Sequence, residues 1–137
     1  MHGIAVTLLT EDKERLAVLQ QRLESSQIGR NVFSHVGFPS TQTDPVLRQI
    51  QDVRAEVALV DIDPENMQRA IRAIELIHSS TSEIVIFAVG PMNLPETIVS
   101  AMRAGAREYL ERTATVETMV EAFNRFTASR VFMMPAN

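Results

Sequence analysis

The sequence has no cysteine, no tryptophan and a single tyrosine. Without cysteine the chain can form no disulfide, use no thiolate nucleophile and build no Cys-ligated zinc site. No apolar run approaches the length that crosses a bilayer, and Met1-His2-Gly3 brings no basic stretch ahead of its short apolar run, so neither membrane insertion nor a secretory leader is expected. A cytoplasmic setting is the resulting expectation. No G-x-x-x-x-G-K-[ST] occurs, so this chain has no Walker-type ATP site; no G-x-G-x-x-G follows the first apolar run, so it lacks the dinucleotide loop. His2, His35 and His78 have no metal-ligand spacing, and no Ser/His/Asp order suggests a hydrolase. A net charge of −4 argues against nucleic-acid binding by the whole surface.

What is present is the composition of one ordinary globular domain: 137 residues, 45% apolar and 22% charged. The most informative stretch is Val57-Ala58-Leu59-Val60-Asp61-Ile62-Asp63-Pro64. A valine-rich run with no polar alternation suits a strand buried on both faces of a parallel sheet. Pro64 stops it, and Asp61 falls where the strand runs out, at the edge where open α/β sheets place their ligands.

The rest of the chain alternates in the same way. Strands are predicted over Gly3–Leu9, Val32–Val36, Val57–Asp61, Ile84–Ala88 and Glu108–Leu110. Thr10 is expected to cap a helix from about Glu11 to Ser25, with Leu16, Leu19 and Leu23 on its inner stripe. Pro45 opens a short helix through Ile50 and Val53, and Met67, Ala70, Ile71, Ile74 and Ile77 share one face of a third. Pro95 begins a fourth helix, with Ile98, Ala101 and Met102 inward and Gly105 at its end; Thr115 caps a last one facing inward through Val116, Met119, Val120, Phe123 and Phe126. Strict alternation with short links predicts an α/β domain with a parallel sheet covered by helices on both faces; among doubly wound arrangements the flavodoxin-like one, five parallel strands in the order 2-1-3-4-5, is the one we choose. The domain is expected to span residues 1–128, with 129–137 an apolar tail or linker.

This topology brings Glu11 and Asp12, after the first strand, to the same edge as Asp61 and Asp63. Clustered carboxylates repel; a hard cation such as Mg²⁺ held by Glu11, Asp12 and Asp61 would relieve that, and so would simple solvation on a rim. Spacing alone does not choose between the two.

The segment Ala101-Met102-Arg103-Ala104-Gly105-Ala106-Arg107-Glu108-Tyr109-Leu110 resembles the A-x-x-A-G-A-x-x-Y-L signature of CheY-like two-component receiver domains, and Val57–Asp61 resembles their third strand. The resemblance spans nearly the whole chain. It implies that Asp61 is the phosphoacceptor position, Glu11 and Asp12 the acidic pair, and Tyr109 the aromatic switch position. Two positions depart from the pattern. The hydroxyl residue expected at the end of the fourth strand is read as Ala88, which has no donor, and the Lys-Pro after the fifth strand is Arg112-Thr113. Arg112 keeps the charge in a different geometry and can instead pair with Asp61 or a neighbouring acid.

These departures are those of an atypical receiver, or pseudo-receiver. The pattern is most similar to the N-terminal domain of the CpaE/TadZ pilus-assembly family, where such a domain precedes a ParA/MinD-like ATPase. Two functions follow: a non-catalytic interaction domain in the assembly or localisation of a larger machine such as a Flp/tight-adherence pilus, or a working receiver that relays a signal through Asp61. A homodimer is expected through the fourth helix, fifth strand and last helix, where Arg103 and Arg107 lie near Glu117 and Glu121.

Overall fold

Apolar runs without alternation can be buried only between two layers, and the computed structural model, which describes residues 3–81, 83–113 and 115–133, places them there. Ten elements alternate along the chain: β1 (Ile4–Thr10), α1 (Lys13–Ser26), β2 (Gly29–Val36), α2 (Pro45–Asp52), β3 (Val57–Asp61), α3 (Met67–Ser80), β4 (Val85–Gly90), α4 (Pro95–Ala104), β5 (Ala106–Glu111) and α5 (Val116–Met133). The strands form one sheet in the order β2-β1-β3-β4-β5. Every adjacent pair is parallel.

The sheet separates two cores, and the pleat decides which residue joins which. On β3, Ala58 and Val60 face a layer built with Val46, Leu47 and Ile50 of α2, Ala70, Ile74 and Ile77 of α3, and Ala101 and Ala104 of α4. Val57 and Leu59 face the opposite layer, with Leu19 and Leu23 of α1 and Met119, Phe123 and Phe126 of α5. β3 is buried at every residue, whereas the edge strand β2 is half-buried or exposed along its length, as expected.

Three sequence expectations need correction. Thr10 does not cap α1: β1 continues through it, and Asp12 is the cap, its Oδ1 accepting the Glu14 N–H at 2.8 Å. Met102 does not face inward. It is 44% exposed because α4 packs through the smaller Thr97, Ala101 and Ala104, which share one face and let the helix lie close to its neighbours. The last helix runs through Met133, so 129–133 are helical; residues 134–137 of the expected tail lie outside the described residues.

Candidate functional site

All five strands point their carboxyl ends to one edge, and Asp61 ends the central strand there, 2% exposed. A carboxylate this buried needs donors on both oxygens. The neighbouring strand supplies one: the Thr10 hydroxyl donates to Asp61 Oδ2 at 2.9 Å. The rest come from two arginines. Arg15, in the first turn of α1, donates through Nη2 to Oδ1 at 2.9 Å and through Nε to Oδ2 at 3.4 Å. Arg112, just beyond β5, donates through Nε to Oδ1 and through Nη2 to Oδ2, both at 3.4 Å. The two guanidinium side chains are 17% and 26% exposed, so the ion pairs are largely withdrawn from water. The Arg112 carbonyl is fixed in turn, accepting Nη1 of Arg22 at 2.9 Å and Nη1 of Arg15 at 3.4 Å. One carboxylate thus ties α1, β3 and the turn after β5 together.

The other acids of this edge each meet a local partner. Glu11 pairs with Arg69 at 3.1 Å and accepts from Asn66 Nδ2 at 3.4 Å. Asp12 caps α1, and Asp63 accepts the Glu65 N–H at 2.9 Å, shaping the turn into α3. Among the described residues no three acidic or histidine side chains are grouped as a cation site. Of the acids expected to hold Mg²⁺, Glu11, Asp12 and Asp61, the last has both oxygens bound by the guanidinium forks of Arg15 and Arg112 in this structure. Repulsion between the acids is relieved by arginine instead.

The end of the fourth strand also differs from expectation. Ala88 is fully buried, opposite Val60 and Tyr109 in the ladders, and β4 continues two residues further. The terminal residue is Gly90, on the same face as Ala88. A Cβ at Gly90 would overlap the Tyr109 hydroxyl and come within 3.2 Å of Ile62 Cβ. Tyr109 fills the place a side chain at position 90 would occupy, and its hydroxyl donates to the Pro91 carbonyl at 2.8 Å. Either residue, Ala88 or Gly90, offers no hydroxyl.

Burial pushes the Tyr109 pKa up from 10.0 to about 12. A raised pKa on a group that is neutral when protonated contributes stability below the unfolded value, lost as pH rises through the folded one. Tyr109 is the sole tyrosine and tryptophan is absent, so tyrosinate absorbance reads this residue alone. The expected midpoint in the folded protein is about 12, moving back toward 10.0 in Gly90→Ser, where the new side chain expels the ring. A midpoint near 10.0 in the unaltered protein would contradict the inward position.

Sequence reading missed Arg15, Arg22 and the hydrogen bond from Thr10 to Asp61. One signal was available. Arg15 and Arg22 are seven residues apart and share a face of α1, and a cation in a helix's first turn opposes the dipole unless a nearby acid holds it. A cleft of about 880 Å³ lies at the opposite edge, lined by Arg54, Glu56, Ile84, Arg107, Phe126 and Arg130 among others. That edge receives the carboxyl ends of the helices, whose dipoles account for arginines there.

No protein-family model matches the chain, and no curated protein matches it. Solved structures do. A protein assigned to pilus assembly (CpaE) from Burkholderia thailandensis E264 superposes with a TM-score of 0.76 at 20% identity, over 91% of this chain and 98% of that one. The CheY-like protein TadZ from Pseudomonas aeruginosa PAO1 gives 0.73 at 21% identity, over 100% and 99%. A CheY-like response-regulator receiver domain from Methanospirillum hungatei JF-1 gives 0.73 at 16% identity, over 97% and 100%. Strand order, parallel pairing and near-complete superposition agree: the chain has the CheY-like receiver fold.

Proposed function

We propose that this chain is a receiver-fold interaction domain that works without phosphorylation and without a catalytic step, in the assembly or localisation of a larger machine such as a Flp/tight-adherence pilus. The observation that carries the reading is the pairing of Asp61, at the phosphoacceptor position, with both Arg15 and Arg112. A phosphoryl group would have to displace both guanidiniums and would find no hydroxyl at Ala88 or Gly90 to draw Tyr109 along. A ligand that contacts two states equally shifts neither, so the switch lacks its differential contact. The likeness to CpaE and TadZ supports the pilus setting, with a ParA/MinD-like ATPase as the fused or separate partner. Among the described residues no helix is long and apolar enough to cross a membrane.

Partner binding is assigned to the face of α4, β5 and α5, with a second copy of the chain as one partner. Val99 and Met102 stand exposed on α4, at 46% and 44%, a pair of large apolar side chains that water does not favour. Arg103 on α4 and Glu117 and Glu121 on α5 are exposed as well, offering charges of both signs to pair across a two-fold axis. Sedimentation should find a dimer that Glu121→Arg and Met102→Glu each weaken. A monomer at high concentration, or a dimer indifferent to both changes, would remove this interface from the account.

A further inference from the structure

We propose that the cleft at the amino edge of the sheet binds a small organic anion, an acid group carried on an apolar body, at the opposite end of the domain from Asp61. Its volume of about 880 Å³ is that of a site for a small ligand. The cleft opens where both cores end: Ile50, Ala55 and Ile84 belong to the layer of α2, α3 and α4, and Phe126 to the layer of α1 and α5. The inner wall is therefore apolar and suits the body of a ligand better than bulk water. Arg54, Arg107 and Arg130 stand exposed along the rim.

The charges on the rim do not cancel. Arg130 pairs with Glu56, whose other oxygen accepts the Ala5 N–H at 2.9 Å, and lies 5.8 Å from the centroid of the Phe126 ring. Arg107 donates through Nη1 to the Ser129 hydroxyl at 3.1 Å, and among the described residues neither Arg107 nor Arg54 has an ion pair. Glu83, exposed, is the remaining acid of the lining. Helix dipoles favour the sign of charge at this edge without using up these donors, and a guanidinium fork matches the two oxygens of a carboxylate. Arg54 carries a second signal. It directly follows the cap of α2 at φ +54°, the left-handed position where helices ordinarily place glycine or asparagine. A residue with a Cβ is destabilising there, and a charged side chain held against local preference points to a role outside the fold. Gln27, at φ +57° after α1, shares the conformation but does not line the cleft, which makes it the internal control.

The test is a titration of the whole chain with naphthoate, followed by amide chemical shifts, with naphthamide as the uncharged control and acetate as the anion without an apolar body. Saturable shifts at Arg54, Ile84 and Arg107 are expected, with naphthoate binding roughly tenfold tighter than either control. Arg54→Gly relieves the left-handed backbone, so it should raise the urea midpoint while weakening naphthoate binding roughly tenfold, a pair of effects that a purely structural residue does not give. Gln27→Gly should raise the midpoint and leave binding unchanged. Glu83→Gln removes the competing acid and should tighten binding roughly threefold. A parallel titration with decanoate separates sources: tighter binding than naphthoate marks an acyl acid, and equal or weaker binding an aromatic one. Equal binding of naphthoate and naphthamide overturns the site, as does binding that Arg54→Gly leaves unaltered, or a urea midpoint that Arg54→Gly lowers. Naphthoate shifts confined to Arg15 and Arg112 would place the anion at the other edge and overturn it too.

Discussion

Asp61→Ala is expected to cost the fold about 3 kcal/mol, the scale on which removing one partner of a buried ion pair leaves the other charge uncompensated. Asp61 is 2% exposed and accepts from Thr10, Arg15 and Arg112, so its loss orphans donors on three separate elements. The turn after β5 should loosen with it, since Arg15 holds both the carboxylate and the Arg112 carbonyl. Urea unfolding of the two proteins measures the difference. Adding Arg15→Met to Asp61→Ala should recover part of the loss, because the second change removes a charge that the first left unpaired. Equal midpoints for the parent and Asp61→Ala would mean that the ion pairs contribute nothing to stability.

Gly105→Ala should be comparably damaging, at about 2–4 kcal/mol, for reasons unconnected with charge. Gly105 closes α4 at φ +131°, a conformation that residues with a Cβ rarely adopt. A Cβ there would also lie 2.6 Å from Cγ and 2.8 Å from Cβ of His78, near the end of α3. Backbone strain and overlap thus add, and both act where α4 meets α3 and β5 begins. A denaturation midpoint lowered at unchanged m-value is the expected result. In a His78→Ala background the overlap with the imidazole ring is relieved, while the 2.8 Å approach to Cβ of residue 78 and the backbone strain remain, so the cost of Gly105→Ala should fall without vanishing. An unchanged cost there would mean that the imidazole ring contributes nothing to the effect.

How much of this could be read from the chain follows from what each signal encodes. β3 was legible because Val57 to Val60 is apolar without alternation, which only burial on both faces explains. Its neighbours followed from alternation, whereas the strand order was a choice among doubly wound arrangements, one that the sheet bears out. α4 was misread at Met102 because size is a poor guide where helices pack closely: Thr97, Ala101 and Ala104 make the contact and the larger side chain is left outside. The end of β4 was misplaced because the apolar run stops at Val89, whereas the backbone ladder continues through Gly90, which pairs with Glu111. The partners of Asp61 were not legible for a related reason. Sequence places acids at one edge, but it does not say that Arg15 and Arg112, 46 and 51 residues away, will reach Asp61 before a cation does.

The pairing of Asp61 is the claim on which the functional account turns. Amide chemical shifts around Asp61 and Tyr109, followed as Mg²⁺ and beryllofluoride are added, test it most directly. With both oxygens of Asp61 bound by Arg15 and Arg112, and Tyr109 held against Gly90, no saturable change should reach Tyr109. Saturable shifts extending from Asp61 to Tyr109, and abolished in Asp61→Ala, would contradict the account and make this domain a working phosphoacceptor.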